Sequence, residues 1–246
     1  MNADEVRRGW ATRSREFSPA YYAYYGPNEA SEQVRLTLDR LVGPDAAVLE
    51  LGCSAGRHLA HLHDHGYTNL SGVDINDDAI DVLTESYPAL AADGTFYHDA
   101  IERVVDRFDD GGFDAVFTVE TLQHVHRDDA WVFEAIARLT DDVLVTVEAE
   151  EPDGGSDGEG RVDGESAGEG PSDGGSDGER SSDGGSGETA ADSAAPPAGW
   201  ETSVHTHSGD FPLYYRPWGR IFTGFGMEAV ASRPVGRDRL RAFRWG

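Results

Sequence analysis

Val48-Leu49-Glu50-Leu51-Gly52-Cys53-Ser54-Ala55-Gly56-Arg57 places an acidic residue and two glycines at the end of an apolar run, directly before a helix-like segment. Residues of these types at this spacing make a ligand cradle. Gly52 and Gly56 permit a tight turn and close backbone approach, and a helix starting at about Gly56 aims unpaired N–H groups at whatever occupies the turn. A second apolar run, Leu70-Ser71-Gly72-Val73, ends in Asp74 about 20 residues later, where nucleotide-binding α/β folds place an acid for ribose hydroxyls. A third, Gly94 to His98, leads into Asp99 and Ala100. Glu50, Asp74 and Asp99 are therefore expected at the ends of three neighbouring strands, converging on one crevice. Contact with a shared ligand explains that placement better than acid/base catalysis, because no proton donor or water position is identifiable beside them.

The same residues resemble the first motif of the class I S-adenosylmethionine-dependent methyltransferases, which runs acid, x, Gly, x, Gly, x, Gly. Here the corresponding residues are Glu50, Gly52, Ser54 and Gly56, so serine replaces the middle glycine. Serine is small, and its hydroxyl can hydrogen-bond a polar ligand group. A nicotinamide dehydrogenase would show Gly-x-Gly-x-x-Gly, which Gly52, Ser54 and Arg57 do not fit. The resemblance, to an acidic, haloarchaeal-type member, implies an α/β fold: a Rossmann-like, doubly wound seven-stranded sheet in the order 3-2-1-4-5-7-6, the last strand antiparallel, with helices on both faces. It implies S-adenosylmethionine as cofactor. The loop of Gly52, Cys53, Ser54 and Gly56, with Glu50 nearby, would hold the methionine part; Asp74, beside Ile75, would take the ribose hydroxyls, and Asp99 with Ala100 the adenine.

After the fourth expected strand comes Glu120-Thr121-Leu122-Gln123-His124-Val125-His126, where this family lines the reacting methyl group and the substrate pocket. Glu120, also a cofactor contact, and His124 are the candidate catalytic side chains. An imidazole with an ordinary pKa near ~6.5 suits proton acceptance from a hydroxyl or amine, with packing as the competing role. The activity implied is methyl transfer to a small molecule; a cofactor-binding protein without turnover and an aminopropyl transferase are the alternatives.

The elements that must position these residues follow from periodicity. Residues 1–27 form an arm crowded with aromatics, Trp10, Phe17, Tyr21, Tyr22, Tyr24 and Tyr25, which either closes over a pocket or staples the arm to the domain. Asn28 caps a helix carrying Val34, Leu38 and Leu41 that stops at Gly43-Pro44. Strands are expected from Ala46 to Leu51, Asn69 to Val73, Gly94 to His98, Phe113 to Val119 and Val143 to Val147. Helices lie between them: one from Gly56 to about Gly66, one capped by Asn76 and ended by Pro88, and one starting at Asp128 or Asp129. Such alternation implies a parallel sheet with ligands at the strands' carboxyl ends. Residues 149–199, with Asp-Gly-Gly-Ser at 153, 173 and 183, read as a flexible acidic linker inserted in a domain of residues 28–148 and 200–246. Phe211 to Phe225 is expected to be partly helical, before strands from Met227 to Ser232 and Arg239 to Trp245.

Composition limits the rest. A net charge of −26, from 46 acidic and 20 basic residues, argues against general nucleic-acid binding. Every basic residue is arginine, and this composition resembles proteins of high-salt cytoplasm, where screening relieves self-repulsion. The absence of a signal peptide or long apolar run leads to the expectation of a cytoplasmic protein without a membrane span. One cysteine, Cys53, excludes an internal disulfide. His58, His61, His63 and His65 suggest metal binding, but His63 leaves their shared helix face, so they read as solvated histidines and no metal ligand is assigned. The tail arginines, Arg216, Arg220, Arg233, Arg237, Arg239, Arg241 and Arg244, balance charge or hold the linker or an anionic substrate. Oligomeric state is not readable.

Overall fold

The apolar run ahead of the glycine turn forms β1 (Val48–Leu51), buried along its whole length. This is a computed structural model, and it describes residues 1–150, 203–206 and 211–246. Parallel partners flank β1: β2 (Leu70–Asp74) with β3 (Thr95–His98) on one side, β4 (Phe113–Val119) with β5 (Thr140–Glu148) on the other. A short antiparallel pair, β6 (Ser203–Thr206) and β7 (Pro212–Tyr215), stands apart from the main sheet. The chain then returns through β8 (Met227–Val235) and β9 (Asp238–Trp245), with β9 antiparallel to both β5 and β8. The resulting order, β3-β2-β1-β4-β5-β9-β8, is 3-2-1-4-5-7-6 when only this sheet's seven strands are counted. That is the topology the resemblance implied.

Period-two alternation divides the core. On β4, Ala115, Phe117 and Val119 face a cluster with Val34 and Leu38 of α3 (Glu29–Leu41) and Leu59 and Leu62 of α4 (Arg57–Asp64). Val116 points the other way, to Phe133 and Ile136 of α8 (Val132–Leu139) and Trp218 and Phe222 of α9 (Trp218–Gly224). Helices therefore cover both faces, each large side chain contributing about 1.5–3 kcal/mol by leaving water. Asn28 caps α3 as expected, its side chain accepting from Ser31 N while the Ser31 hydroxyl accepts from Asn28 N.

Two expectations, at Asn76 and at Asp128 or Asp129, need correction, and two more gain detail. Asn76 is not the residue capping α5 (Ala79–Ser86); Asp78 holds that position, while the Asn76 amide donates to Trp10 O and Arg13 O of the N-terminal arm. Pro88 ends α5 but also opens α6 (Pro88–Asp93), because proline fits a helix's first turn. Asp128 and Asp129 belong to a 3₁₀ turn, and α8 starts only at Val132. Within 211–225 a strand precedes the helix, since Pro217 confines α9 to Trp218–Gly224.

The arm itself folds into α1 (Ala3–Ala11) and α2 (Pro19–Tyr25). Ala149 and Glu150 belong to the folded body: Ala149 O accepts from Trp218 Nε1 at 2.9 Å, and Glu150 pairs with Arg241 and Arg239. The rest of the expected linker, with Trp200 and His207, lies outside the described residues. Among those described, no helix is long and apolar enough to cross a membrane.

Candidate functional site

Backbone hydrogen bonds build the turn after β1. Gly52 N and Cys53 N both donate to Val73 O, at 2.8 and 2.9 Å, which pins the turn to the end of β2. Gly52 and Gly56 have φ of 76°, in the left-handed region that glycine tolerates. A Cβ on Gly52 would collide with the Thr121 side chain, and one on Gly56 would come within 2.7 Å of Leu83. Ser54 also has positive φ, 50°, so it adopts a glycine-like conformation where the family motif has glycine. Its N–H donates to Asp74 Oδ2 at 2.7 Å, and Asn76 N donates to Oδ1 at 2.8 Å. Burial raises the Asp74 carboxyl above its ordinary range, against those two N–H groups, which favour the ionised form.

An open cavity, ≈ 980 Å³ with the solvent space at its mouth included, lies over this turn. Gly52, Cys53, Ser54, Asp74, Ile75, Ala100, Glu120 and His124 all line it. Three other expected contacts do not. Gly56 lies behind the turn as the N-cap of α4. Glu50 lies buried at 1 % exposure, with no donor among the described residues on either carboxylate oxygen, and burial drives its carboxyl well above the usual range. Asp99 turns toward α7 (Ile101–Val104), accepting from Arg103 Nε at 2.6 Å, Arg107 Nη1 at 2.9 Å and its neighbour's amide. Partial burial opposes the shift, but those donors hold its carboxyl low. The expected convergence of three acids thus reduces to Asp74, with Ala100 and Ile101 presented where Asp99 was placed.

The opposite wall comes from the arm and the segment after β4. Asn76 and Asp77 anchor the arm, the latter donating to Ala11 O at 2.8 Å, while Arg7 pairs with Asp129 at 2.6 Å. Trp10, Phe17 and Tyr22 line the cavity, whereas Tyr24 and Tyr25 are exposed. The Trp10 ring lies 4.2 Å from that of His124, and neither Trp10 Nε1 nor His124 Nδ1 has a hydrogen-bond partner among the described residues. Burial pushes the His124 pKa down to about 4, so its imidazole is neutral at ordinary pH. Glu120, at φ 50°, accepts from Arg237 Nη2 at 3.0 Å.

Sequence reasoning missed what holds this segment. Arg216, 2 % exposed, donates to Leu122 O at 3.1 Å and Val125 O at 2.7 Å, with its guanidinium among Phe133, Tyr214 and Trp218. Burial lowers its pKa to about 10. Glu148, fully buried, accepts from Thr121 N through both oxygens, and burial lifts its carboxyl to about 8. Both residues stand far from residues 120–126 in sequence, and each looked like ordinary charge. Other tail arginines pair with acids of the body, as Arg244 does with Asp142 at 2.6 Å.

The remaining candidates pack. Burial raises the Cys53 thiol well above its ordinary range, which disfavours a nucleophile. His58 is buried against Ser31 Oγ at 2.7 Å, and His63 meets Asp93 at 2.8 Å. His61 bonds Glu32 at 2.8 Å, and the donor atoms of Glu32, His61 and His65 lie within 4.8 Å of one another, a set able to hold a metal ion. Glu32 supplies what the histidine spacing lacked, although Arg35 already donates to both its oxygens.

Residues 48–142 match the family described as "Methyltransferase domain". That stretch runs from β1 into β5 and contains the turn, Asp74, Ala100, Glu120 and His124. Among solved structures, the magnesium protoporphyrin IX methyltransferase of Synechocystis PCC 6803, with bound S-adenosylmethionine, aligns over 99% of this chain and 97% of its own, at 13% identity and a TM-score of 0.59. The 1,6-didemethyltoxoflavin-N1-methyltransferase of Burkholderia thailandensis, with bound 1,6-didemethyltoxoflavin and S-adenosylhomocysteine, aligns over 88% and 78%, at 14% identity and 0.57. A protein from Pyrococcus horikoshii OT3 aligns over 98% and 99%, at 17% identity and 0.55. At such identities the likeness establishes the fold. No curated protein sequence matches the chain.

Proposed function

We propose that this chain is an S-adenosylmethionine-dependent methyltransferase acting on a small-molecule acceptor. The observation that carries this reading is the turn tied to Asp74: the Ser54 N–H is held by a carboxylate that itself lines the cavity. Each Asp74 oxygen accepts one backbone N–H and retains a lone pair for a ribose hydroxyl. The residues present fit the cofactor. Gly52, Cys53 and Ser54 would meet the methionine part, Asp74 with Ile75 the ribose, and Ala100 with Ile101 the adenine. The Glu50 carboxyl, the acid of that motif, is buried with no hydrogen-bond partner among the described residues.

When bound, the cofactor supplies a methyl carbon on a sulfonium, open to in-line displacement by an oxygen, nitrogen or carbon nucleophile. The chain's own contribution is positioning, worth up to ~7–11 kcal/mol in ideal cases. Trp10, Phe17 and Tyr22 exclude water from one side of the cavity. Neutral His124 offers an unpartnered nitrogen for orienting an acceptor, and Glu120 is the carboxylate placed to take a proton from a hydroxyl or amine. The negative charge and missing lysine support work in a high-salt cytoplasm, and they disfavour nucleic acid as acceptor.

Calorimetric titration of S-adenosylmethionine in molar salt tests the binding step. Saturable heat is expected, with Asp74→Ala weakening binding about 100-fold, or ~2.7 kcal/mol; undiminished binding by the variant would sink the assignment. Labelled methyl groups should then leave the cofactor for a component of a metabolite extract. If none does so while binding persists, the chain is a cofactor-binding protein without turnover.

A further inference from the structure

Away from the cavity, one cluster of metal-ligating side chains spans two helices. His61 of α4 and, four residues on, the capping residue His65 share a side of that helix, with ring centroids 4.4 Å apart. Glu32 of α3 faces them, its Oε2 lying 2.8 Å from His61 Nε2. One donor atom from each of the three falls within 4.8 Å of the others. Beside them the buried Ser31 Oγ and His58 Nδ1 stand 2.7 Å apart, a hydrogen bond that fixes how α3 meets α4. The three side chains are thus brought together by packing that does not depend on them, which is what a preorganised ligand set requires.

We propose that Glu32, His61 and His65 bind one divalent transition-metal ion of the zinc type, which clips α3 to α4. Two imidazoles and a carboxylate are donors that such an ion takes, and water completes its coordination at this partly exposed position. Ligands on bonds of ~2.1 Å to a tetrahedral ion stand about 3.4 Å apart. Rotation of the Glu32 side chain, 41% exposed, and of the exposed His65 closes the cluster to that span. His65 is already oriented for the role: its Nδ1 lies 2.7 Å from His61 O, and donating there leaves Nε2 as the bare, ligating nitrogen.

Arg35 is the group that opposes the ion. It donates to Glu32 Oε1 at 2.6 Å and to Oε2 at 2.8 Å, and it also pairs with Asp39. A carboxylate has about four lone-pair sites, so Arg35 takes one on each oxygen and the ion replaces the His61 N–H on Oε2. Arg35 then holds the ligating carboxylate from outside, as hydrogen-bonded partners of metal-bound acids do. Its positive charge is countered by Asp39 and by a chain of net charge −26. His63 takes no part, since it pairs with Asp93 at 2.8 Å. Glu32, His61 and His65 do not line the cavity, so the proposal stands apart from the methyl-transfer reading.

Calorimetric titration of Zn²⁺ into the full-length, untagged chain in molar potassium chloride tests the site. One equivalent should bind ahead of any weaker uptake by the acidic surface. His61→Ala, His65→Ala and Glu32→Gln should each weaken that step at least about 10-fold, whereas His63→Ala should stay within about 2-fold. The double variant of His61 and His65 should lose the step. Zn²⁺ should raise the Tm of the wild-type chain and of His63→Ala but not of the double variant. His65 is exposed and its replacement leaves the Ser31–His58 bond intact, so metal-free His65→Ala should melt with the wild type and its loss of Zn²⁺ reads the ligand alone. No step near one equivalent, or a step that survives in the double variant, overturns the site. Unchanged affinity in Glu32→Gln, or equal loss in His63→Ala, would leave the ion on the histidines of α4 and overturn the clip between helices.

Discussion

The two walls of the cavity are made differently. On the side proposed for the cofactor, the turn at Gly52–Gly56 is held by backbone groups of β2 and by Asp74, all within residues 48–76. On the side proposed for the acceptor, Glu120 and His124 are held by Arg216, Glu148, Arg237 and the arm, drawn from the start of the chain, the end of β5 and the tail. One wall is a local motif resting on the special backbone freedom of glycine. The other is an assembly of charged and aromatic side chains whose partners lie between 27 and 117 residues away in sequence. The glycines of the first leave no room for a side chain, whereas the second should tolerate changes that shift acceptor handling without disturbing cofactor binding.

The strongest test of that contrast is Gly52→Ala. The new Cβ meets Thr121 and must occupy φ of 76°, and strain plus overlap should cost about 3 kcal/mol. Urea unfolding in molar salt would measure that loss, and calorimetry should show cofactor affinity falling at least about 100-fold. If affinity holds, the turn is not the cofactor's cradle. On the opposite wall, Arg216→Met leaves Leu122 O and Val125 O without their donor, at about 2 kcal/mol. Here kcat/KM should fall well over about 10-fold while the cofactor's Kd moves less than about 2-fold. Equal damage to both quantities would show the two walls to be one unit.

Legibility from the sequence followed the same division. The strand order came with the resemblance, whereas the cap at Asn28 and the turn could be read because each depends on a short local pattern or on glycine placement. Asp99 misled because its strand-end position is shared with Asp74, but the helix after it brings Arg103 and Arg107 back within reach. Glu50 misled in another way, since its place in the motif says nothing about its depth, and the structure puts it beneath the cavity. Asn76 looked like a helix cap because its type suits one, yet it anchors an arm more than 60 residues earlier, for which no local pattern exists. Arg216 and Glu148 were hidden by composition: in a chain with 66 charged residues, a buried one carries no distinguishing mark.

Glu148 gives the acceptor wall a signature in pH. Its folded-state pKa of about 8 lies above the ordinary 4.5, so the native state binds the extra proton between those values. The sign follows from linkage: this contribution is fully present below about pH 4.5 and is lost as pH rises through 8. Thermal unfolding at constant molar salt should therefore show Tm declining across that window. Glu148→Gln, which keeps an acceptor for Thr121 N, should remove part of the slope; an unaltered slope would place the buried proton elsewhere. A smaller effect is expected from Trp10→Ala. Removing the ring beside His124 should raise the acceptor KM about 10-fold, or ~1.4 kcal/mol, with the cofactor's Kd nearly constant. A change confined to cofactor binding would move Trp10 to the opposite wall.

The smallest expected effect lies at the position where this chain departs from the motif it resembles. Ser54 holds φ of 50°, a conformation costing a non-glycine residue about 1 kcal/mol, and Ser54→Gly would relieve it. Glycine also has more freedom to lose on folding, at roughly 0.5–1 kcal/mol, so the two terms nearly cancel. The hydrogen bond that matters is donated by the backbone to Asp74 and survives the exchange. Stability should thus change by less than about 0.5 kcal/mol and cofactor affinity by less than about 3-fold. A loss beyond about 10-fold in affinity would mean that the serine hydroxyl itself contacts the ligand, and the cofactor wall would then depend on a side chain after all.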